Sequence, residues 1–244
     1  MAMQIIRLKE TESTNDFLLD IAVRQPEWEG VVISDFQSSG KGMGTNRWES
    51  EKGKNLLFSI LLHPTWLPVH CQYLLSMTEA VAICDVLRQY ADGITIKWPN
   101  DIYWRDYKLS GTRIDANISG SGINDMIIGT GININQKEFV SDAPNPVSLT
   151  QITGTELDRE KILMEILDRF YIYLNSLKEG NHDDITKRYH NSLYRKDGLY
   201  KYRDSNGEFL ASIERVMPNG TLRLKTEDGE IKEFMFKEVE FIIK

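Results

Sequence analysis

The sequence has few residues of the kinds that mark disulfide-bonded or zinc-binding proteins. Its two cysteines, Cys71 and Cys84, form neither a CxxC pair nor part of a four-ligand metal set. We expect both to be reduced core thiols of a cytoplasmic protein. The four histidines are scattered and contain no HExxH motif, so the sequence predicts no zinc site.

Long apolar runs and an excess of positive charge are also missing. The opening residues, MAMQIIRLKE, carry charge and lack the apolar region of a signal peptide. No apolar run approaches the roughly 18 residues that a membrane span needs. The formal net charge is −7, whereas proteins that bind duplex DNA usually present a basic face. The sequence therefore predicts neither a membrane nor a nucleic acid as the main partner.

The composition is that of a globular protein with a sizeable core. Hydrophobic residues make up 41% of the chain and charged residues 27%. Short apolar runs such as residues 55–62 predict strands. Apolar residues at helical spacing predict long helices over residues 72–90 and 157–177, and a shorter one over about 183–193. The polar, proline-containing segment 136–154 is predicted to be a loop.

The pattern changes after residue 197. Short strand-like runs then alternate with turns at residues 205–207, 218–220 and 227–229, and these turns contain Asn-Gly or Asp-Gly, which favour hairpins. We therefore predict an α+β protein with a domain over residues 1–196 and a small β-barrel-like domain over residues 197–244.

A glycine-rich segment at residues 40–48 is the first candidate for binding chemistry. Its glycines allow the backbone to approach a ligand and present N–H groups to an anion. Lys41 and Arg47 add positive charge, and Trp48 could anchor the segment or stack on a base. The spacing is neither that of a P-loop nor that of a dinucleotide fingerprint. A merely flexible connection is the alternative interpretation.

A second candidate is the KWPND segment at residues 97–101, followed by Lys108. Pro99 constrains the turn, so Asn100 and Asp101 leave the strand in a defined direction. A carboxylate beside a lysine at a strand end suits Mg²⁺ and phosphate, and Lys108 could reach the same pocket across a hairpin. The alternative is a surface salt bridge next to a turn.

A third candidate is the strand-like segment at residues 128–135. Glycines within a strand indicate a close approach of the backbone to another group, or a bulge. Alternation along the strand would place Asn133 and Asn135 on the same face. An ordinary edge strand is the alternative.

Together these segments resemble the biotin–protein ligases in their order and approximate spacing. The resemblance covers about residues 5–244, and the KWPND block with its trailing Lys-Leu-x-Gly is its most specific part. The matching motifs are ESTN at residues 12–15, QSSGKG at 37–42, Trp48, KWPND at 97–101, KLSG at 108–111 and GTGIN at 129–133.

The resemblance implies a fold and a reaction. The fold is a mixed β-sheet with packed helices, followed by a small SH3-like β-barrel. In the reaction, biotin's carboxylate attacks the α-phosphate of ATP with Mg²⁺ present, and a lysine of a biotin carboxyl carrier domain then takes up the biotinyl group. The motifs begin by residue 12, which indicates the monofunctional type without an N-terminal DNA-binding domain. The oligomeric state is left open, a homodimer included.

The resemblance also assigns roles to individual residues, with Lys108 as the catalytic residue that contacts the carboxylate and the α-phosphate. Ser13 fits the cap of a helix equally well, and both roles are compatible. The biotin-binding residues are Ser13, Thr14, Asn15, Gln37, Lys41, Gly42, Met43, Lys108, Gly111 and Gly131. The ATP-binding residues are Asn46, Arg47, Trp48, Lys97, Asn100, Asp101 and Asn133, with Asp101 as the metal ligand.

One residue departs from the family pattern. Many family members carry Arg where this chain has Met43, so we hypothesise that the adenylate is retained differently, through Arg47 or Asn46.

Lipoate or octanoate ligases and transferases share the catalytic fold and are the main alternative function. A biotin-sensing regulator would need a DNA- or partner-binding module. A catalytically inactive scaffold is disfavoured because Lys97, Asp101 and Lys108 are all present.

Overall fold

The computed structural model describes residues 3–44, 46–120, 122–141 and 144–243. One large sheet contains the strands β1 (Ile5–Leu8), β2 (Gly30–Ser34), β3 (Leu56–Leu62), β4 (Ile94–Lys97), β5 (Asp101–Trp104), β6 (Tyr107–Ser119) and β7 (Gly122–Ile132). Its seven strands lie in the order β1-β2-β3-β7-β6-β5-β4. Only β1 and β2 pair in parallel, and the other neighbours are antiparallel. The sheet is therefore mixed, as predicted.

Helices cover both faces of this sheet. They are α1 (Thr14–Arg24), α2 (Tyr73–Leu87), α3 (Leu149–Thr153), α4 (Arg159–Lys178) and α5 (His182–Asn191). Helix α2 is apolar almost all round and is buried between the sheet and α4 and α5, which is the expected place for such a sequence. Helix α1 packs on the opposite face, where Leu18 meets Val32, Leu61 and Ile127.

A second sheet follows at the C-terminal end. Its strands are β8 (Tyr200–Asp204), β9 (Gly207–Val216), β10 (Leu222–Thr226), β11 (Ile231–Phe234) and β12 (Glu240–Phe241). The five strands are antiparallel in the order β11-β10-β9-β8-β12. Gly207, Gly220 and Gly229 all have positive φ at the predicted turns. The α+β fold class is confirmed.

The two sheets are joined by hydrogen bonds and by a shared core. The indole Nε1 of Trp98 donates to the carbonyl oxygen of Gly220 at 3.0 Å, and the backbone N–H of Val216 donates to His190 Nε2 at 2.7 Å. Tyr202 of the second sheet belongs to the same continuous apolar core as α2. The predicted boundary between residues 196 and 197 falls between α5 and β8, and the division into two domains stays a prediction.

Two local predictions were wrong. The segment 136–154, predicted as a loop, contains α3, which begins with a capping box formed by Ser148 and Gln151. Five residues are too few to show a helical period, so only the cap could have indicated it. Strand β7 ends at Ile132, so Asn133 and Asn135, which were predicted to share one face of this strand, lie beyond it. The Ser-Gly-Ser-Gly sequence at residues 119–122 predicts a hairpin tip, but Ser121 lies outside the described residues, as does Thr45 of the glycine-rich segment. No described helix has the length and apolar character that a membrane crossing requires.

Candidate active site

A cavity of about 610 Å³ lies on the α1 face of the large sheet. Every residue that the sequence analysis assigned to biotin or to ATP lines it, from Ser13 before α1 to Asn133 after β7. The volume is within the range of pockets that enclose small-molecule ligands. The three segments, which are far apart in the sequence, thus converge on one cavity, although the role of each residue stays a prediction.

The N-terminus of α1 forms one end of the cavity. Ser13 caps the helix, since its hydroxyl accepts from the backbone N–H of Asp16 at 3.4 Å. Gln37 accepts from the backbone N–H and the hydroxyl of Thr14, at 2.7 and 3.0 Å. The orientation of the Gln37 amide is therefore set by the first turn of α1. Ser13 does form a helix cap, and this leaves its proposed contact with biotin open.

Next to this helix end, a polar network links α1 to the sheet. Ser59 Oγ lies 2.7 Å from Thr14 Oγ1 and 2.6 Å from Asn15 Oδ1, and Asn15 Nδ2 donates to Asp115 at 2.8 Å. A Cβ at Gly129 would overlap the Asn15 amide, so this close packing requires glycine. The sequence analysis missed Ser59, although it is the single polar residue of the otherwise apolar β3.

Lys41 and Arg47 of the glycine-rich segment pair in antiparallel fashion, so the described residues on either side of Thr45 form the two arms of a hairpin that lines the cavity. The backbone N–H of Gly42 donates to Asn46 at 2.8 Å, and that of Trp48 donates to Gly40 at 2.9 Å. Lys41 points to the side and forms an ion pair with Asp16 at 2.6 Å. The loop therefore offers its backbone and the uncharged side chain of Met43 to the cavity, while the charge of Lys41 is held at the rim.

Trp48 lies directly on the floor of the cavity. A Cβ at Gly111 would stand 3.0 Å from the indole ring, and one at Gly131 would overlap it. Any side chain at Gly131 would displace the ring. The Trp48 Nε1 atom lies against Gly131 and is buried without a hydrogen-bond partner among the described residues.

Three charged residues stand together where β4, β5 and β6 meet. Lys97 lies opposite Asp101 in the backbone register of β4 and β5, and Lys108 Nζ donates to Asp101 Oδ2 at 2.8 Å. Burial lowers the pKa of Lys97, which the Asp101 carboxylate partly offsets. Its ammonium lies 5.1 Å from the ring centroid of Tyr103 and 5.2 Å from that of Phe241. The two ammonium groups and one carboxylate form a site suited to a phosphate chain.

The two asparagines assigned to the nucleotide are both buried. Asn100 is 6% exposed and Asn133 is 2% exposed. Asn133 Nδ2 donates to the carbonyl oxygen of Val147 at 3.1 Å, while its Oδ1 has no partner among the described residues. A buried acceptor without a donor is costly, so the Asn133 amide is a candidate for a contact with a ligand, and its assignment to the nucleotide stays a prediction.

The cavity also has a wall that sequence reasoning missed. Phe139 and Ser141 line it, and the Glu49 carboxylate holds their loop by accepting from the backbone N–H groups of Val140 and Ser141 at 2.9 and 2.8 Å. Burial tends to raise the pKa of Glu49, but these hydrogen bonds outweigh it and hold the pKa below its ordinary value. The contact joins Glu49 to a loop about 90 residues away and involves backbone N–H groups, so no sequence motif could have indicated it.

The cavity offers carboxylate oxygen to a divalent cation such as Mg²⁺. Mg²⁺ is commonly held by one or two carboxylates together with the phosphates of a substrate. Asp101 supplies one carboxylate at the phosphate-suited end of the cavity. Within the described part of the chain, no three His, Cys, Asp or Glu side chains are grouped to hold a metal. The residues fit an ion that arrives with nucleotide phosphates rather than one held by a protein cage.

The chain is similar to known proteins over its whole length. Residues 8–133 match the model of the Biotin/lipoate A/B protein ligase family. The bifunctional ligase/repressor BirA of Escherichia coli is 30% identical over 93% of this chain and 71% of its own. The biotin–[acetyl-CoA-carboxylase] ligase of Mycobacterium tuberculosis is 27% identical over 67% of this chain and 61% of its own. The biotin protein ligase of Aquifex aeolicus, solved with biotin and ATP, has a TM-score of 0.79 and 26% identity, and the match covers 99% of both chains.

Proposed function

The chain belongs to the Biotin/lipoate A/B protein ligase family, and from this membership we propose that it is an ATP-dependent biotin–protein ligase. It joins biotin to AMP and then transfers the biotinyl group to a lysine of a carrier domain. The observation that carries this proposal is the single cavity that combines the Lys108–Asp101 pair with the glycine floor at Gly111 and Gly131. The neighbour solved with biotin and ATP supports both substrates.

In the first step, the biotin carboxylate attacks the α-phosphate of ATP, and the bond to pyrophosphate breaks. Two anionic groups must meet, so a cation is needed between them. Lys108 supplies it, because its ammonium stands at the boundary between the biotin-side and phosphate-side residues and is oriented by Asp101. Lys97, Asn100 and Asp101 face the phosphates. Mg²⁺, held by Asp101 when the nucleotide is bound, would neutralise phosphate charge.

The mixed anhydride formed in this step reacts with water, so the cavity must exclude it. The hairpin at residues 40–48 covers the biotin end, and the Trp48 ring seals the floor against Gly111 and Gly131. The loop held by Glu49 closes the opposite wall. We assign Asn46, Arg47, Trp48 and Asn133 to the adenylate side of the cavity that they line.

In the second step, the ε-amino group of a carrier lysine attacks the anhydride carbonyl, and AMP leaves. We propose that the carrier is a biotin carboxyl carrier domain of a carboxylase. The name of the M. tuberculosis relative, a ligase for acetyl-CoA carboxylase, supports this choice.

The proposal is tested by pyrophosphate release from the full chain with ATP and Mg²⁺. We expect release with biotin and none with lipoate or octanoate, the acids of the other ligases and transferases that share this fold. The biotin-binding and nucleotide-binding groups lie in one cavity, so release should require both substrates. Release with lipoate but not with biotin would contradict the proposal.

The substitution at Met43 leads to a prediction about retention of the adenylate. Met43 lines the cavity but cannot donate to phosphate, whereas a guanidinium at this position would add a charge-assisted hydrogen bond. Met43→Arg is therefore expected to slow biotinyl-adenylate dissociation about tenfold or more, as a bond of this kind contributes roughly 1.5–3 kcal/mol.

Single-turnover release of the adenylate into solution measures this rate, with Met43→Leu as the uncharged control. If Met43→Arg releases the adenylate as fast as the parent, the missing arginine has no bearing on retention. Arg47→Ala and Asn46→Ala, each made in the parent chain, show which of these two residues retains the adenylate in place of an arginine at position 43. The variant that releases the adenylate faster than the parent identifies that residue.

A further inference from the structure

A strained turn in the second sheet reaches the candidate active site. The turn spans residues 235–238, since the backbone N–H of Glu238 donates to the Met235 carbonyl oxygen at 3.1 Å. Its third residue, Lys237, has φ of 72°, a conformation that a type II turn requires there and that usually takes Gly or Asn. A lysine kept in this conformation points to a role for its side chain.

The turn is anchored against the KWPND segment and touches the glycine-rich hairpin. The Phe236 ring packs edge-on against Trp98, with 6.4 Å between ring centroids. Lys237 Nζ lies against Gly44, where an added Cβ would stand only 2.6 Å from it. Lys237 thus stands where the second sheet meets the loop that covers the first cavity.

A second cavity, of about 1260 Å³, adjoins the first and is lined by Lys237. The two cavities share Lys97, Asp101 and Phe236. An α-phosphate beside Lys108 would therefore direct the remaining phosphates of the nucleotide past Asp101 and into the second cavity.

Five carboxylates and three cations line the second cavity, and the pairing between them decides which charges a phosphate would meet there. Each of these carboxylates is already engaged: Asp101 with Lys108, Asp204 with Lys232, Glu233 with Arg223, Glu240 with Arg203, and Glu238 with the backbone N–H of Met235. Lys97 and Lys237, by contrast, form no ion pair within the described residues. Two ammonium groups thus remain available to phosphate.

We propose that Lys237 binds the two phosphates that leave as pyrophosphate, a role that rests on the proposed ligase function. As the carboxylate oxygen of biotin bonds to the α-phosphorus, the bond from that phosphorus to the bridging oxygen breaks. The electron pair stays on the departing pyrophosphate. The Lys237 ammonium lies where this negative charge grows, and no proton transfer is needed. Lys237 has no part in the second step, because pyrophosphate has then left.

The two half-reactions of the full chain, measured separately, test this role. Lys237→Ala is expected to raise the KM for ATP and lower the rate of pyrophosphate release, together about 10- to 100-fold in kcat/KM. Pyrophosphate-driven resynthesis of ATP from biotinyl-adenylate should fall to the same extent. Transfer from preformed biotinyl-adenylate to a carrier domain should be unchanged. Unchanged pyrophosphate release, or equal losses in both half-reactions, would overturn the proposal.

Three further variants separate charge from folding. Lys237→Gly relieves the backbone strain, so it should be at least as heat-stable as the parent and still show the loss of adenylation. Lys237→Arg keeps the charge and should retain most of the activity. Lys225→Ala removes an exposed lysine of the same sheet that lines neither cavity, and should behave as the parent. If the parent chain itself releases no pyrophosphate with biotin, the ligase function fails, irrespective of any Lys237 variant.

Discussion

Lys108→Ala is expected to lower the rate of biotinyl-adenylate formation about 10²–10³-fold, the usual effect of removing one preorganised donor from developing charge. The ammonium is held 2.8 Å from Asp101 and is partly buried, so its position is set before the substrates bind. Without it, the biotin carboxylate and the α-phosphate would approach each other with no cation between them. Pyrophosphate release at saturating biotin, ATP and Mg²⁺ measures the effect.

A matched control is available at the surface. Lys52 forms an exposed ion pair with Glu10 at 3.1 Å and lines neither cavity, so Lys52→Ala should keep the parental rate. Thermal unfolding of both variants shows whether a loss of rate reflects a loss of folded protein. A Lys108→Ala protein that is folded and adenylates at the parental rate would refute the catalytic assignment.

The local motifs of the site could be predicted because their chemistry is contained in consecutive residues. The glycines of residues 40–44 indicate backbone exposed to a ligand, and KWPND places Lys97 and Asp101 on either side of a turn. That Lys108 reaches the same pocket also followed from a hairpin, in which Lys108 lies opposite Tyr103 and its side chain extends to Asp101. The C-terminal β unit followed from short strand-like runs and from Asn-Gly or Asp-Gly turns, whereas the mixed sheet was implied by the resemblance to the biotin–protein ligases.

What could not be predicted depends on contacts between distant segments. Ser59 meets Thr14 and Asn15 only because β3 lies beside the end of α1. Lys237 meets Gly44 only because the second sheet docks against the first. In both cases the contacting residues belong to different sequence motifs. They are also too far apart in the sequence for a helical or strand repeat to predict the contact.

Glu79 is a further residue that sequence reasoning missed. It lies on α2, in a largely apolar sequence whose other carboxylate is Asp85, and a carboxylate there looks like a surface residue. In the structure it is 1% exposed, and its carboxyl group accepts from Thr112 and Thr130 on β6 and β7. These threonines alternate with the floor glycines, so Glu79 lies directly beneath the cavity on the other side of the sheet.

The surroundings of Glu79 favour its neutral form. Burial raises its pKa to about 7, against the opposing effect of the hydrogen bonds from Thr130 and Thr112. The Tyr173 and Tyr189 hydroxyls face α2 from α4 and α5, and burial raises the pKa of both. Among the described residues, the side chains that donate to the Glu79 carboxyl group are the two threonines, and it forms no ion pair that would offset its charge when it ionises. The folded state therefore holds this proton more tightly than the unfolded chain does.

Glu79→Gln is accordingly expected to stabilise the protein at alkaline pH and to change the pH dependence of its stability. The folded pKa lies above the unfolded value of about 4.5, so the parent loses stability as the pH rises from 4.5 to 7, and the full loss persists above 7. For a shift of about 2.5 units, this amounts to roughly 3 kcal/mol at pH 8. Glutamine does not titrate, and its amide can pair with both threonine hydroxyls, so the variant avoids the loss.

Urea unfolding at pH 5 and pH 8 measures the difference, with the exposed Glu227→Gln as the control. The stability of Glu79→Gln relative to the parent should increase between the two pH values, whereas the control should follow the parent. Parallel curves for parent and Glu79→Gln would mean that Glu79 ionises as freely in the folded state as in the unfolded chain. Since Thr112 and Thr130 flank the floor glycines, the outcome also shows whether the sheet beneath the cavity contains a neutral hydrogen-bonded cluster or an uncompensated charge.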